Sequence, residues 1–137
     1  MTSELINELY KLRDENPKEA LKLLGKLGDS PAERVVVAIV QIDCGDSLGD
    51  VNPVSQGIEV LREFQANQEL YPETAYNLAN GFQIRARLTF NPDSPVRGQA
   101  SDDRFQARVQ FGNVMRDPVA SAELKSQAST NLGLLLL

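Results

Sequence analysis

Tyr76, Asn77, Asn80, Gln83 and Arg87 are the side chains of this 137-residue chain best placed to do chemistry, and with Glu73 they recur at spacings of three and four. An amide side chain offers two N–H donors and a carbonyl acceptor, which suits the alternating groups of an extended peptide backbone. An exposed tyrosine adds an anchor that is apolar along its ring and polar at its tip. Asn131 extends the set, because Thr130-Asn131-Leu132-Gly133-Leu134 repeats the Asn-Leu-small pattern of Tyr76-Asn77-Leu78-Ala79-Asn80 after 54 residues. The chemistry implied is non-covalent binding of a partner. An ordinary solvated helix face accounts for the same residues equally well.

Other chemistry finds less material. The chain has no histidine, which removes imidazole acid–base catalysis and imidazole metal ligands. Cys44 lies beside Asp43 and Asp46, whose charge raises a thiol pKa and disfavours a reactive thiolate. Neither a G-x-x-x-x-G-K-[ST] nor a G-x-G-x-x-G phosphate loop occurs. Asp43, Asp46 and Asp50 are rich in oxygen but lack the D-x-D-x-D-G order of a calcium loop, so a solvated turn is expected there. The sequence therefore predicts no catalytic residues, no metal, no cofactor and no enzyme. A secondary basic face is offered by Arg104 and Arg108, one helical turn apart. Either an acidic partner or phosphates could meet it, or neighbours such as Asp103 could neutralise it as surface ion pairs.

Charge limits the partners further. The net charge is −5, from 14 basic and 19 acidic side chains. Residues 1–72 carry most of the acid, whereas residues 73–137 are nearly balanced and hold six arginines from Arg85 to Arg116. Non-specific nucleic-acid binding needs a positive field, so the whole chain is a poor candidate. The Arg85–Arg116 region remains the alternative, as a nucleic-acid-associated protein. A further option is a small acidic inhibitor whose first half occupies a basic site on its partner. The longest apolar run, 35–40, is too short to span a bilayer, and charged residues interrupt the N-terminus where a signal peptide would be apolar. With one cysteine, no membrane span and no leader, a cytoplasmic location is expected.

Helices must position these groups. Leu5, Leu9 and Leu12 share a face of a first helix. Asn16-Pro17 with Glu19, and Ser30-Pro31 with Glu33, are start signals: a capping side chain, proline in the first turn and a glutamate placed for a capping box. A second helix carries Ala20, Leu23, Leu24 and Leu27 and stops near Gly28. Val35 to Ile42 is rich in β-branched residues and could read as a strand, but its capped start predicts a buried helix. A loop is expected from Asp43 to Asn52. Asn52-Pro53 starts a fourth helix with Ile58, Leu61 and Phe64 inward. Pro72 starts a fifth, running to about Leu88, with an apolar stripe of Ala75, Leu78, Ala79, Phe82 and Ala86. A loop over 89–100 follows. Ser101, Asp102 and Asp103 cap a sixth helix, and Asp117-Pro118 starts a seventh, with room for a break before Ala128.

Residues 72–137 resemble a degenerate tetratricopeptide repeat. Ala75-x2-Leu78-Ala79-x2-Phe82 fills the first-helix motif, Ala107-x3-Phe111 followed by Pro118 fills the second, and Ser129-x2-Leu132-Gly133-x2-Leu136 opens the next repeat. The resemblance implies close helix contacts at Ala79, Ala107 and Gly133. It also implies that the first-helix positions line a concave, peptide-holding groove. The aromatic at the first motif position is missing in both copies, and the spacing from Ala79 to Ala107 demands a long insert. The expectation is thus an all-α chain, 1–137, of six or seven helices packed as successive antiparallel hairpins in an α-solenoid-like stack. Its apolar end, Leu134 to Leu137, lacks the polar outer face of a terminal repeat. On that ground it is expected to be the N-terminal part of a longer protein, with further sequence or another chain covering the end.

Overall fold

The computed structural model describes residues 2–67, 72–90 and 99–135. Among these there are seven α-helices and no strand: α1 Thr2–Glu15, α2 Pro17–Leu23, α3 Pro31–Leu48, α4 Val51–Asn67, α5 Glu73–Thr89, α6 Gln99–Arg116 and α7 Ala122–Leu135. A single 3-10 turn, Leu24–Lys26, follows α2.

The start signals act as their chemistry dictates. Asn16 Oδ1 accepts from the Glu19 N–H at 3.3 Å and opens α2. Ser30 Oγ accepts from the Glu33 N–H at 3.3 Å, while the Glu33 carboxylate accepts from the Ser30 hydroxyl at 2.7 Å and from the Gly28 N–H at 2.6 Å. Those hydrogen bonds, from Ser30 first and then Gly28, hold the Glu33 pKa below its ordinary value. The β-branched stretch 35–42 is helical, with Val35, Ala38, Val40 and Ile42 buried. A secured N-terminus and burial on two sides outweigh the strand preference of Val and Ile.

Four boundaries differ from the sequence expectation. The loop foreseen over 43–52 is mostly helix. α3 continues to Leu48 and stops at Gly49, whose φ of 66° is the left-handed C-cap that glycine adopts without steric cost. Gly45 lies within α3, and the start of α4 packs against it: a Cβ there would stand 2.5 Å from Val54 Cγ2 and 2.8 Å from Asp50 O. Asp50 then opens α4 by accepting from the Asn52 N–H at 3.0 Å. α6 begins at Gln99, so Ser101, Asp102 and Asp103 lie inside the helix and do not cap it. α7 begins at Ala122, beyond a turn in which Asp117 accepts from the Val119 N–H at 2.8 Å, and runs without a break through Ala128. The foreseen loop 89–100 falls for the most part outside the described residues.

Each helix packs on the next, and α1 on α3, α3 on α5 and α5 on α7 pack as well. Neighbours are antiparallel. Arg34 of α3 pairs with Glu63 near the end of α4, whereas Gly45 of α3 touches Val54 near its start. The odd-numbered helices run parallel to one another, since Ile42 lies against Gly81 and Asp46 pairs with Arg87 further along both. This is the stack of successive hairpins that the helix pattern predicts. Its main core joins Ile42, Ile58, Leu61, Leu78, Ala79, Phe82, Phe111 and Val114 across α3 to α6. A smaller cluster of Leu9, Ala20, Leu24, Val40 and Cys44 holds α1 and α2 onto α3.

Candidate functional site

Asn80, Gln83 and Arg87 fall on one line of α5, because intervals of three and four residues return to the same side of a helix. Their line faces a groove of about 540 Å³ bounded by α3, α5 and α7, with one residue from α6. α3 contributes Asp43 and Asp46, α5 adds Ile84 and Ala86, Phe90 just past its end closes the margin, α6 adds Arg104, and α7 adds Leu134 and Leu135. Asn80 and Gln83 are half-buried, and their amides make no hydrogen bond among the described residues. Phe90 and Leu134 are 59% and 57% exposed, unusual for such apolar side chains. α5 buries Ala75, Leu78, Ala79, Phe82 and Ala86, the stripe expected from sequence, with Ala86 at the margin shared with the groove.

The charges at the groove are mostly matched. Asp46 accepts from Arg87, linking α3 to α5. Asp43 accepts from Arg13 of α1 at 3.2 Å. Burial raises the Asp43 pKa, and the Arg13 cation pulls it back only in part. The Arg13 pKa rises despite the opposing effect of burial, through its hydrogen bond to Asp14 and the field of Asp43. Tyr10, whose ring lies 5.1 Å from the Arg13 guanidinium, is also raised, by burial first. Arg104 is paired with no carboxylate among the described residues; it donates to the Leu135 carbonyl at 2.7 Å, steadying the last turn of α7.

Not all of the expected binding residues gather there. Tyr76 and Asn131 sit together in a separate notch of about 270 Å³ with Ser126, Gln127 and Thr130. The Asn131 amide donates to the Tyr76 hydroxyl at 3.0 Å, and the Tyr76 ring packs edge-on against Phe111 with centroids 5.8 Å apart. These two residues therefore tie α5 to α7 and are half-buried. Asn77 donates to the Glu73 carbonyl of its own helix at 2.9 Å and lines neither space. Among the small residues of the repeat motif, Ala79 and Ala107 are fully buried, but Gly133 is exposed with open space beside it.

The arginines of 85–116 do not form one basic face. Arg85 is buried and donates from Nε and Nη2 to both carboxylate oxygens of Asp103, at 2.8 and 2.9 Å, and from Nη1 to Ser55 Oγ at 3.2 Å. This pair was not foreseen. Its only sequence signal is two opposite charges on the inward faces of adjacent helices. Arg87 is bound to Asp46, and Arg116 donates to Asn113 at 2.9 Å. Arg97 lies outside the described residues. Arg108 is exposed, lies one turn from Arg104 and does not line the groove.

The aspartates 43, 46 and 50 do not converge, since each has its own partner in Arg13, Arg87 and the Asn52 N–H. Burial and then the charge of Asp43 push the Cys44 thiol up to about 11, so it is protonated near neutrality. The groove thus brings together amides, paired charges and exposed apolar surface. Such a lining can hold a ligand in register. Among the described residues no helix is long and apolar enough to cross a membrane. Compared with family models, curated proteins and solved structures, the chain matches none.

Proposed function

We propose that this chain is a protein- or peptide-binding helical module that takes an extended segment of its partner in the groove on α3, α5 and α7. One observation carries the reading: Asn80, Gln83 and Arg87, on one line of α5, open with two unengaged amides onto a groove edged by exposed Phe90 and Leu134. Amides pair with a peptide backbone whatever its sequence, while the apolar edge selects side chains. The stacked hairpins support a docking segment in the manner of a tetratricopeptide-like repeat. The units nevertheless begin at Pro31, Glu73 and Ala122, wider apart than that family's 34-residue spacing. The reading therefore rests on the groove itself. A cytoplasmic setting belongs to the same proposal. The nucleic-acid alternative loses support, because Arg85, Arg87, Arg104 and Arg116 all donate to groups of the chain itself.

The test is selection of peptides from a random display library on the immobilised protein, followed by affinity measurement with labelled peptide. Asn80→Ala and Gln83→Ala should each weaken binding about threefold to tenfold, since peripheral amides contribute less than a buried anchor. Their thermal stability should be unchanged. Tyr76→Ala is not a clean binding probe, because it removes a contact to Phe111 and the bond from Asn131. If no peptide is enriched, or if the enriched peptides bind both variants as well as the parent, the groove is not the docking site.

A further inference from the structure

The outer face of α6 bears a stripe that the groove does not use. At 3.6 residues per turn, Asp102, Phe105, Val109, Gly112 and Arg116 fall within about 80° of one another. They point away from the buried line of Asp103, Ala107, Gln110, Phe111 and Val114. Phe105 is 54% exposed and Val109 37%, and Asp102 and Arg116 at the two ends are exposed as well. α6 packs on α5 and α7 with its inner sides. Among the described residues Asp102 makes no ion pair, and Arg116 donates to Asn113 of its own helix with its guanidinium folded over Gly112.

The charged ends of the stripe are placed symmetrically. Val109 is the midpoint, with Asp102 seven residues before it and Arg116 seven after it. We infer that this stripe is the contact for a second copy of the chain, α6 packing antiparallel on α6 about a two-fold axis at Val109. In that arrangement Asp102 of each copy meets Arg116 of the other, and Val109 meets Val109 on the axis. Phe105 of each copy lies beside Gly112 and Asn113 of the other; the Arg116 guanidinium, which folds over Gly112 in the single chain, uncovers that glycine when it turns to Asp102. An isologous contact requires such self-complementarity. A parallel pairing would set Asp102 against Asp102 and Arg116 against Arg116, and like charges exclude it. A foreign helix would give no reason for opposite charges equidistant from a central valine. One helix pair buries less than the roughly 1,200–2,000 Å² of a standard interface, so the dimer is weak and exchanges readily.

Sedimentation equilibrium from micromolar to millimolar concentration reads this directly. The parent chain should rise toward twice its monomer mass and should associate less at high salt. Val109→Glu sets two carboxylates on the axis and should weaken association by roughly tenfold or more. Asp102→Arg should weaken it too, and adding Arg116→Asp to that variant should restore it. All three positions are on the surface, and unchanged helical circular dichroism verifies that the variants fold. A chain that stays monomeric throughout, a Val109→Glu variant that associates like the parent, or a charge swap that fails to restore association would each overturn the proposal.

Discussion

Asp103 and Arg85 are 2% and 8% exposed, so neither can reach water if it loses the other. Placing two charges in a poorly solvated site costs desolvation energy, which their two-pronged contact offsets. Removing one partner leaves the cost without the offset. Asp103→Ala and Arg85→Ala should each destabilise the chain by about 3–5 kcal/mol, measured by urea unfolding. The double variant should cost less than the sum of the singles. A single variant within about 1 kcal/mol of the parent would mean that the pair is far more hydrated than its burial implies. The partners are 18 residues apart, on α5 and α6. In sequence Asp103 follows Ser101 and reads as part of a cap, since capping is local and pairing across helices is not. The bond between Asn131 and Tyr76 was hidden for the same reason: the repeated motif places both residues correctly on their helices but does not say that they meet. Helical periodicity aligns Asn80, Gln83 and Arg87 but also aligns Tyr76 with them, so the sequence could not separate the groove from the notch that holds Tyr76 and Asn131.

Helix contacts set a different limit. At Gly57 of α4 an added Cβ would stand 2.7 Å from the Ala38 carbonyl oxygen and 2.7 Å from Ile42 Cγ1. The backbones of α3 and α4 approach there, and the Ala38 carbonyl, unlike the Ile42 side chain, cannot rotate out of the way. Gly57→Ala should cost about 1–3 kcal/mol through overpacking, despite the better helix propensity of alanine. Ala79→Leu in α5, at a position with no exposed surface, should cost a similar amount. Gly133→Ala is the contrasting case. Nothing lies within 4 Å of its added Cβ, and thermal melting should show stabilisation of up to about 1 kcal/mol. Equal responses at Gly57 and Gly133 would refute the close crossing. The helices were legible wherever a local signal starts them, as at Asn16, Ser30 and Pro72. The 43–52 region was misread because its glycines and aspartates are turn formers by composition. Gly45 instead makes room for the start of α4, and only Gly49 ends the helix.

At the scale of the whole molecule the core is divided, and α3 lies between the two parts. Leu9, Ala20, Leu24, Val40 and Cys44 form the smaller cluster, while Ile42, Ile58, Phe82 and Phe111 belong to the larger. A stack in which each helix touches only near neighbours can open from one end without losing the rest. α1 and α2 depend on the smaller cluster and should open first. Cys44 reports on that step, because it has no exposed surface and its thiol pKa stands at about 11. An alkylating reagent at mildly alkaline pH should therefore react slowly with the folded chain, at a rate set by opening of α1 and α2. Leu9→Ala leaves a cavity in the smaller cluster, a change that typically costs about 2–5 kcal/mol. It should speed Cys44 alkylation more than tenfold in the absence of denaturant. Ile58→Val, in the larger cluster, should lower global stability by about 0.5–1.5 kcal/mol yet leave the alkylation rate nearly unchanged. If Ile58→Val accelerates Cys44 alkylation in proportion to its loss of global stability, the two clusters unfold as one unit. The groove would then be as rigid as the core beneath it. If the rates separate as expected, α3 keeps its place against α5 while α1 lifts away. Asp43 would then lose Arg13 but the Asp46–Arg87 link would persist, leaving the floor of the groove intact.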